Sequence, residues 1–306
     1  MKYIKNTTEF LIEEPTAISL GKFDGIHRGH ELLLEELMRK KNEGLATVIF
    51  TFDIPPKQNF LNEELKVLTT NEEKRYMFDS FGIDYLIECP FTTEIMNMEA
   101  EDFIRMLVEK LSVKCIVAGE DFCFGHNRRG NYQMLQEFSK SLSYEAVIFP
   151  KMKEEHRDIS STYVREEIAN GNIELANKLL GYPYFVSGNV MHGNKIGRTI
   201  GFPTINLLPA EHKLLPAFGV YITKVIIEGI AYHGITNVGR KPTIEGNNPI
   251  GIETYILDFN ENLYEQTVTV TFIKRIREER KFANLDALLE QMRKDVQVAR
   301  YYFSLN

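Results

Sequence analysis

TAISLGKFDGIHRGHELLLEELMRKKNEGLATVIFTFD, residues 16–53, reads as strand, turn, helix and strand in that order. The flanking runs TAISL and ATVIFTF are short, β-rich and almost wholly apolar, while HELLLEELMRKK between them spaces its leucines along one face of a helix. A strand that does not alternate with polar residues is buried on both faces, and a helix between two such strands makes the crossover of a parallel pair. The same grammar runs on to about Pro150: NEEKRYMFDSF as helix, IDYLIEC as strand, AEDFIRMLVEKL as helix, VKCIVAG as strand, YQMLQEFSKSL as helix and YEAVIFP as strand. The expectation is a parallel sheet with helices on both faces, whose ligands sit beyond the carboxyl ends of the strands.

Two helical stretches, SSTYVREEIANG and IELANKLLG, lead out of this half. From about Tyr182 the pattern changes to alternating β segments, YFVSGNVM, GVYITKVIIEG, IAYHGITNVG, GIETYILDF and LYEQTVTVTFIKRI, set apart by Gly, Asn and Pro turns. That is the pattern of an antiparallel barrel or sandwich. A closing helix is expected from Leu285 to Phe303, with Leu288, Leu289, Met292, Val296 and Ala299 at helical spacing for packing on the barrel. The Gly-Tyr-Pro turn at Gly181 separates the two grammars, so the chain divides into an α/β domain, 1–181, and a β domain, 182–306.

The 306 residues suffice for two domains that each bury a core. With 43% hydrophobic and 26% charged residues the composition is that of an ordinary soluble protein, and no apolar run approaches a membrane span of about 18 residues. The first twenty residues carry charges where a signal peptide is apolar, so a cytoplasmic location is expected. A formal net charge of -7 argues against a general field for nucleic acid. Cys89, Cys115 and Cys123 form no CxxC pair, which suggests neither a disulfide framework nor a cysteine-rich zinc site.

The turn GKFDGIHRGH places His27 and His30 where the first helix opens. Backbone N–H groups at a helix N-terminus favour an anion, and imidazoles beside them can donate hydrogen bonds to phosphate oxygens as charge grows in a transition state. Gly29 allows a phosphate close to the backbone. ISSTYVR, residues 159–165, has a hydroxyl-rich helix start with Arg165 one turn in, although Ser160 or Ser161 would serve equally as a plain helix cap. GEDFCFGHNRRG, residues 119–130, follows a strand at the place where such sheets carry ligand loops; with Phe122 and Phe124 in the core it would be an ordinary polar loop.

HRGH resembles the H-x-G-H signature of nucleotidyltransferases, and ISSTYVR resembles its partner. Together with the 119–130 segment they resemble the bacterial FAD synthetases, the bifunctional riboflavin kinase/FMN adenylyltransferases. The resemblance implies a Rossmann-like nucleotidyltransferase domain followed by a riboflavin-kinase-like barrel. It makes His27 and His30 catalytic and Gly21, Phe23, Asp24, Gly29, Ser160, Ser161, Thr162 and Arg165 nucleotide- and phosphate-binding. Asp121 and Phe124 become flavin-binding. Where family members often carry a Phe-Asp-Pro-His-Pro run, this chain has FDIPPKQ, residues 52–58, without the histidine. A class I aminoacyl-tRNA synthetase shares a histidine pair, but KMKEE at Lys151 lacks the serine and second basic residue of that family's loop.

In the second half, HGNKIGRTIGFPTIN, residues 192–206, is a glycine-punctuated loop running into a strand. Gly193, Gly197 and Gly201 would let backbone amides fold over phosphates, and Lys195 and Arg198 add positive charge. The chain has no GxxxxGK[ST], which excludes a Walker-type site. FPTIN resembles the Pro-Thr-x-Asn signature of riboflavin kinases, which makes Thr204 and Asn206 the Mg²⁺ and phosphate candidates; two apart on a strand, they face the same way. By the same resemblance Glu253 in GIETYILDF is the base that accepts the proton of the ribityl 5′-hydroxyl, and Arg277 in RIREERKF lies near the flavin. Without the resemblance Glu253 reads as an outward-facing strand glutamate, and Asn237 in NVGRKPT as a turn element. The implied substrates and products are ATP, riboflavin, FMN and FAD, with no nucleic acid or membrane partner. A homologue that keeps one activity, or a flavin-binding regulator, is the alternative.

Overall fold

Strands buried on both faces need helices on both sides, and residues Met1–Ser161 are built that way. The structure is a computed structural model and describes residues 1–53, 66–192, 201–240 and 250–305. In chain order the first unit contains β1 (Lys2–Lys5), β2 (Thr16–Leu20), α1 (Arg28–Asn42), β3 (Ala46–Asp53), α2 (Asn71–Phe81), β4 (Tyr85–Pro90), α3 (Thr93–Asn97), α4 (Ala100–Leu111), β5 (Val113–Gly119), α5 (Tyr132–Leu142) and β6 (Glu145–Phe149). A small hairpin, β7 (Lys153–Glu154) and β8 (Arg157–Asp158), ends it.

The sheet is six-stranded and parallel throughout, in the order β1-β4-β3-β2-β5-β6. Alternate residues of each strand feed two cores. Ala17, Ile49 and Val117 face Leu33, Leu34 and Leu37 of α1 and Phe78 of α2, while Ile18, Phe50 and Ile116 face Phe103, Ile104 and Leu107 of α4 and Leu135 of α5. From β2 the chain moves to β3 on one side, and it later returns to place β5 on the other. The carboxyl ends of β2 and β5 therefore flank a switch point, the place where open α/β sheets bind ligands. Sequence periodicity begins at Thr16 and misses β1, a four-residue edge strand that pairs with β4 from Lys2 to Lys5.

The second unit, Thr162–Asn306, begins inside α6 (Ser161–Asn170) and continues with α7 (Ile173–Leu180), β9 (Phe185–Met191), β10 (Thr204–Pro209), β11 (Gly219–Ile227), β12 (Ile230–Arg240), β13 (Ile250–Ile256), β14 (Thr267–Glu278) and α8 (Leu285–Leu305). The six strands close into an antiparallel barrel in the order β10-β13-β12-β11-β14-β9. Its interior takes Leu207, Tyr221, Ile252, Val270 and Phe272, all at most 3% exposed. Three interior hydroxyls satisfy one another, Thr223 with Thr236 and Thr236 with Thr254, both at 2.8 Å. On the outer face, Val220, Ile222 and Ile235 pack with Ala299 of α8, the stripe expected of the closing helix. α7 joins this unit too: Asn177 donates to the Phe272 carbonyl at 2.8 Å and accepts from the Tyr184 N–H at 2.7 Å. Among the described residues no helix is long and apolar enough to cross a membrane.

Candidate active sites

After β2 the chain turns through residues 21–27, where two tight backbone positions force the shape. Gly25 has φ +61°, and a Cβ there would lie 2.6 Å from the Leu68 side chain; Phe23, φ 47°, is 1% exposed beneath it. The Asp24 carboxylate holds the turn to the start of α2 by accepting from the N–H groups of Leu68 at 2.8 Å and Thr69 at 3.0 Å. Thr69 in turn accepts from the Gly25 N–H at 3.0 Å, and the Asp24 carbonyl accepts from the Ser161 hydroxyl at 2.7 Å. Ser161 thus reaches the histidine loop. Asp24 is a brace as well as a candidate ligand. Its partner Thr69 escaped the sequence reading.

His27 is the N-cap of α1 in extended conformation, and its side chain does not cap the helix. The imidazoles of His27 and His30 stack with centroids 3.8 Å apart and planes 14° apart. Gly29 is what allows this, since a Cβ there would sit 3.2 Å from the His27 ring. Burial pushes His27 down from 6.5 to about 4, against the opposing fields of Asp121 and Asp24. His30 is held well below the ordinary value by burial and by His27 beside it. Both rings are therefore neutral at pH 7, and each keeps a buried Nδ1 with no hydrogen-bond partner among the described residues. A neutral stacked pair at a helix N-terminus carries no charge of its own and can offer N–H donors to an anion.

The 119–130 segment closes on itself through a bridge between Phe124 and Gly130. Asp121 at its tip is exposed, 3.8 Å from Lys151, and its field reaches His27. Phe124, expected at the flavin, has its ring in the core instead, 6% exposed and packed on Phe103 and on the half-buried Phe122. Phe52 packs against Phe91; Ile54 and the rest of FDIPPKQ lie outside the described residues. Ser160 precedes α6, while Thr162 and Arg165 belong to the second unit.

In the barrel the register brings the kinase candidates together. Glu253 on β13 stands opposite Asn206 on β10, and Thr204, two residues earlier on the same face, stands opposite Tyr255. Asn206 is 8% exposed. On its other side Glu253 stands opposite Asn237 of β12, a residue that sequence reading leaves as a turn element. Its signal was there in the alternation of ITNVG, which sets Asn237 on the face of Ile235. Arg277 is bound by the buried Asp295 of α8, its Nη2 2.8 Å from the carboxylate, and its Nη1 donates to the Glu278 carbonyl. The guanidinium ties strand to helix rather than standing open. Gly193, Lys195, Gly197 and Arg198 lie outside the described residues.

Comparison with known proteins gives one family model for each unit. The model described as FAD synthetase matches residues 10–163, and the model described as riboflavin kinase matches residues 180–303. A bifunctional riboflavin kinase/FMN adenylyltransferase of Haemophilus influenzae is 37% identical over 292 residues, 94% of each chain. One of Listeria monocytogenes is 34% identical over 301 residues, 97% of this chain and 96% of its own. Among solved structures, one from Streptococcus pneumoniae named a macrolide-efflux protein superposes with a TM-score of 0.88 at 32% identity, covering 98% of both chains.

Proposed function

The chain belongs to the bifunctional riboflavin kinase/FMN adenylyltransferase family, and on that premise we propose which of its residues carry each reaction. Its activity is the conversion of riboflavin to FMN and of FMN to FAD, with ATP as the second substrate of both steps. We assign FMN formation to residues 182–306 and FAD formation to residues 1–181. The location is cytoplasmic and the partners are small molecules.

In the first reaction the ribityl 5′-hydroxyl of riboflavin attacks the γ-phosphorus of ATP, the bond from that phosphorus to the ADP oxygen breaks, and Glu253 takes the hydroxyl proton. A carboxylate with no hydrogen-bond or ion-pair partner among the described residues is free to receive it. The Thr204 hydroxyl, the Asn206 amide oxygen and the Glu253 carboxylate present hard oxygen donors on one barrel face, which fits Mg²⁺. Thr204 and Asn206 would hold the ion, which supplies charge neutralisation on the phosphates. Lys195 and Arg198, with Gly193 and Gly197, stand in the assignment on their sequence pattern alone. Arg277 stands in the assignment as flavin-binding on its resemblance, with its guanidinium held by Asp295.

In the second reaction an FMN phosphate oxygen attacks the α-phosphorus of ATP, and the bond to the bridging oxygen breaks to release pyrophosphate. His27 and His30 donate to oxygens that gain charge at the α-phosphorus. Gly21, Phe23, Asp24 and Gly29 shape the turn that receives the triphosphate, and Ser160, Ser161, Thr162 and Arg165 take its outer phosphates. Asp121 faces the flavin side, with Phe124 reaching it only through Phe122. The stacked, neutral histidine pair at the switch point is the observation that carries this reading. The test is incubation with riboflavin, ATP and Mg²⁺ followed by chromatography. FMN and then FAD should appear, and FMN without FAD would leave only the kinase half standing.

A further inference from the structure

The core beneath α1 and α2 ends, at the carboxyl edge of the sheet, in polar groups that the mechanism so far leaves unused. On the face that carries Ile49 and Leu86, the next residues along β3 and β4 are Thr51 and Glu88, register partners only 3% and 4% exposed. One Glu88 oxygen accepts from the Tyr3 hydroxyl at 2.5 Å; the other, like the Thr51 hydroxyl, is buried with no partner among the described residues. Lys74 of α2 belongs to the same corner. It precedes by one turn the fully buried Phe78, which packs α2 on this core, and so lies on the helix face turned to the sheet. Burial lowers its pKa from 10.5, against the fields of Glu88, Asp24 and Asp53. Yet its half-buried ammonium makes no hydrogen bond or ion pair among the described residues.

A desolvated cation without a partner is costly, and one in the first turn of a helix also opposes the helix dipole. The carboxylates whose fields it feels are engaged elsewhere: Asp24 accepts from the N–H groups of Leu68 and Thr69, and Glu88 from Tyr3. Arg75, the other cation of this corner, lies over the Tyr3 ring at 4.6 Å. Through Asp24 the start of α2 is strapped to the turn that leads into the histidine pair. Adenylyl transfer brings the FMN phosphate, roughly −2 at pH 7, against a polyphosphate, and neutral imidazoles add no charge to offset that repulsion. Arg28 between the histidines is bound by Glu154 at 2.9 Å, Lys151 stands between Asp158 and Asp121 at 3.3 and 3.8 Å, and Lys22 is exposed. We infer that Lys74 binds the phosphate of FMN during adenylyl transfer. The inference rests on the reading of His27 and His30 as the site of FAD formation. FMN is favoured over ATP as the source of the phosphate by topology. α2 joins β3 to β4 on one side of β2, whereas Ser161, assigned to the outer phosphates of ATP, follows β6 on the other. In-line displacement sets the entering and leaving oxygens on opposite sides of phosphorus.

The full chain is tested as Lys74→Met, which keeps the length without the charge, and as Lys74→Arg. FAD formation is measured with FMN varied at saturating ATP and with ATP varied at saturating FMN. Lys74→Met should raise KM for FMN about tenfold or more with a smaller change in KM for ATP, and Lys74→Arg should recover part of the loss. Because Lys74→Met removes a desolvated charge, it should melt no lower than wild type, whereas loss of a lysine that only holds the fold would lower the melting temperature. An unchanged KM for FMN in Lys74→Met, a rise confined to ATP, no recovery in Lys74→Arg, or a rise that comes with a lower melting temperature each overturns the inference. His27→Ala/His30→Ala, assayed alongside, separates the two possible failures. If that double variant still makes FAD, the reading of the histidine pair falls and Lys74 with it; if it is inactive while Lys74→Met keeps the wild-type KM for FMN, Lys74 alone is removed.

Discussion

Two imidazoles stacked at 3.8 Å, each with an Nδ1 unpartnered among the described residues, make an unusual resting arrangement. Burial keeps both neutral, so the pair acts by donation rather than as a fixed positive charge. Replacing His27 and His30 together with alanine should therefore abolish FAD formation, since losing one such donor alone costs about 10²–10³ in rate. FMN formation should be spared; unchanged FAD synthesis in the folded double variant would remove the pair from the mechanism. The same burial has a thermodynamic consequence. With the folded value of His27 near 4 and an ordinary value of 6.5, the unfolded chain binds the extra proton between those pH values. Stability of the first unit is then complete above about pH 6.5 and falls as pH drops towards 4, by up to about 3 kcal/mol from His27 alone. Urea unfolding at pH 7 and pH 5 checks this: wild type should lose more than His27→Asn, and an equal loss in both would place the acid sensitivity elsewhere. His27, His30 and Thr204 could be proposed from the sequence because short motifs carry them, and Glu253 only through the resemblance. Asn237 and the hold of Ser161 on Asp24 could not, because each depends on a partner 16 and 137 residues away that only the folded chain brings near.

Elements were legible in proportion to their length and the regularity of their pattern. The buried parallel strands and the long closing helix follow from apolar runs and from spacing, whereas β1, α3, β7 and β8, each of five residues or fewer, are too short to show a period. The helices before the barrel are the instructive case. Sequence grammar sets them before the break at Gly181, yet Ala176, Leu179 and Leu180 of α7 are fully buried and Asn177 bonds both Phe272 and Tyr184. A fragment beginning at Tyr182 keeps Thr204, Asn206 and Glu253 but loses these contacts. It should make FMN, no FAD, and melt below a fragment beginning at Thr162. Calorimetry of the two decides the point, and equal melting temperatures would mean that α7 adds nothing to the barrel. Within the longer fragment, Asn177→Ala leaves a buried backbone donor and acceptor without partners and should cost about 1–3 kcal/mol.

At the scale of the molecule, two reactions that both displace at phosphorus are matched by two units that each have a core of their own. The histidine pair, its brace Asp24 and Ser161 lie within Met1–Ser161, while Asn206, Glu253 and Asn237 lie within Thr162–Asn306. FMN is the product of one reaction and the substrate of the other. If it leaves into solution, the two units need not belong to the same chain. Full-length Glu253→Gln, able to make FAD from FMN but not FMN, mixed with the His27→Ala/His30→Ala double variant, which has the opposite defect, should then convert riboflavin to FAD. Neither variant should do so alone. The time course should show FMN accumulating first and a lag in FAD that shortens as the Glu253→Gln protein is increased, because the second step becomes bimolecular in free FMN. A mixture that makes FMN at the normal rate and no FAD, with both proteins folded and Glu253→Gln active on supplied FMN, would show that FMN does not exchange with solvent between the two sites.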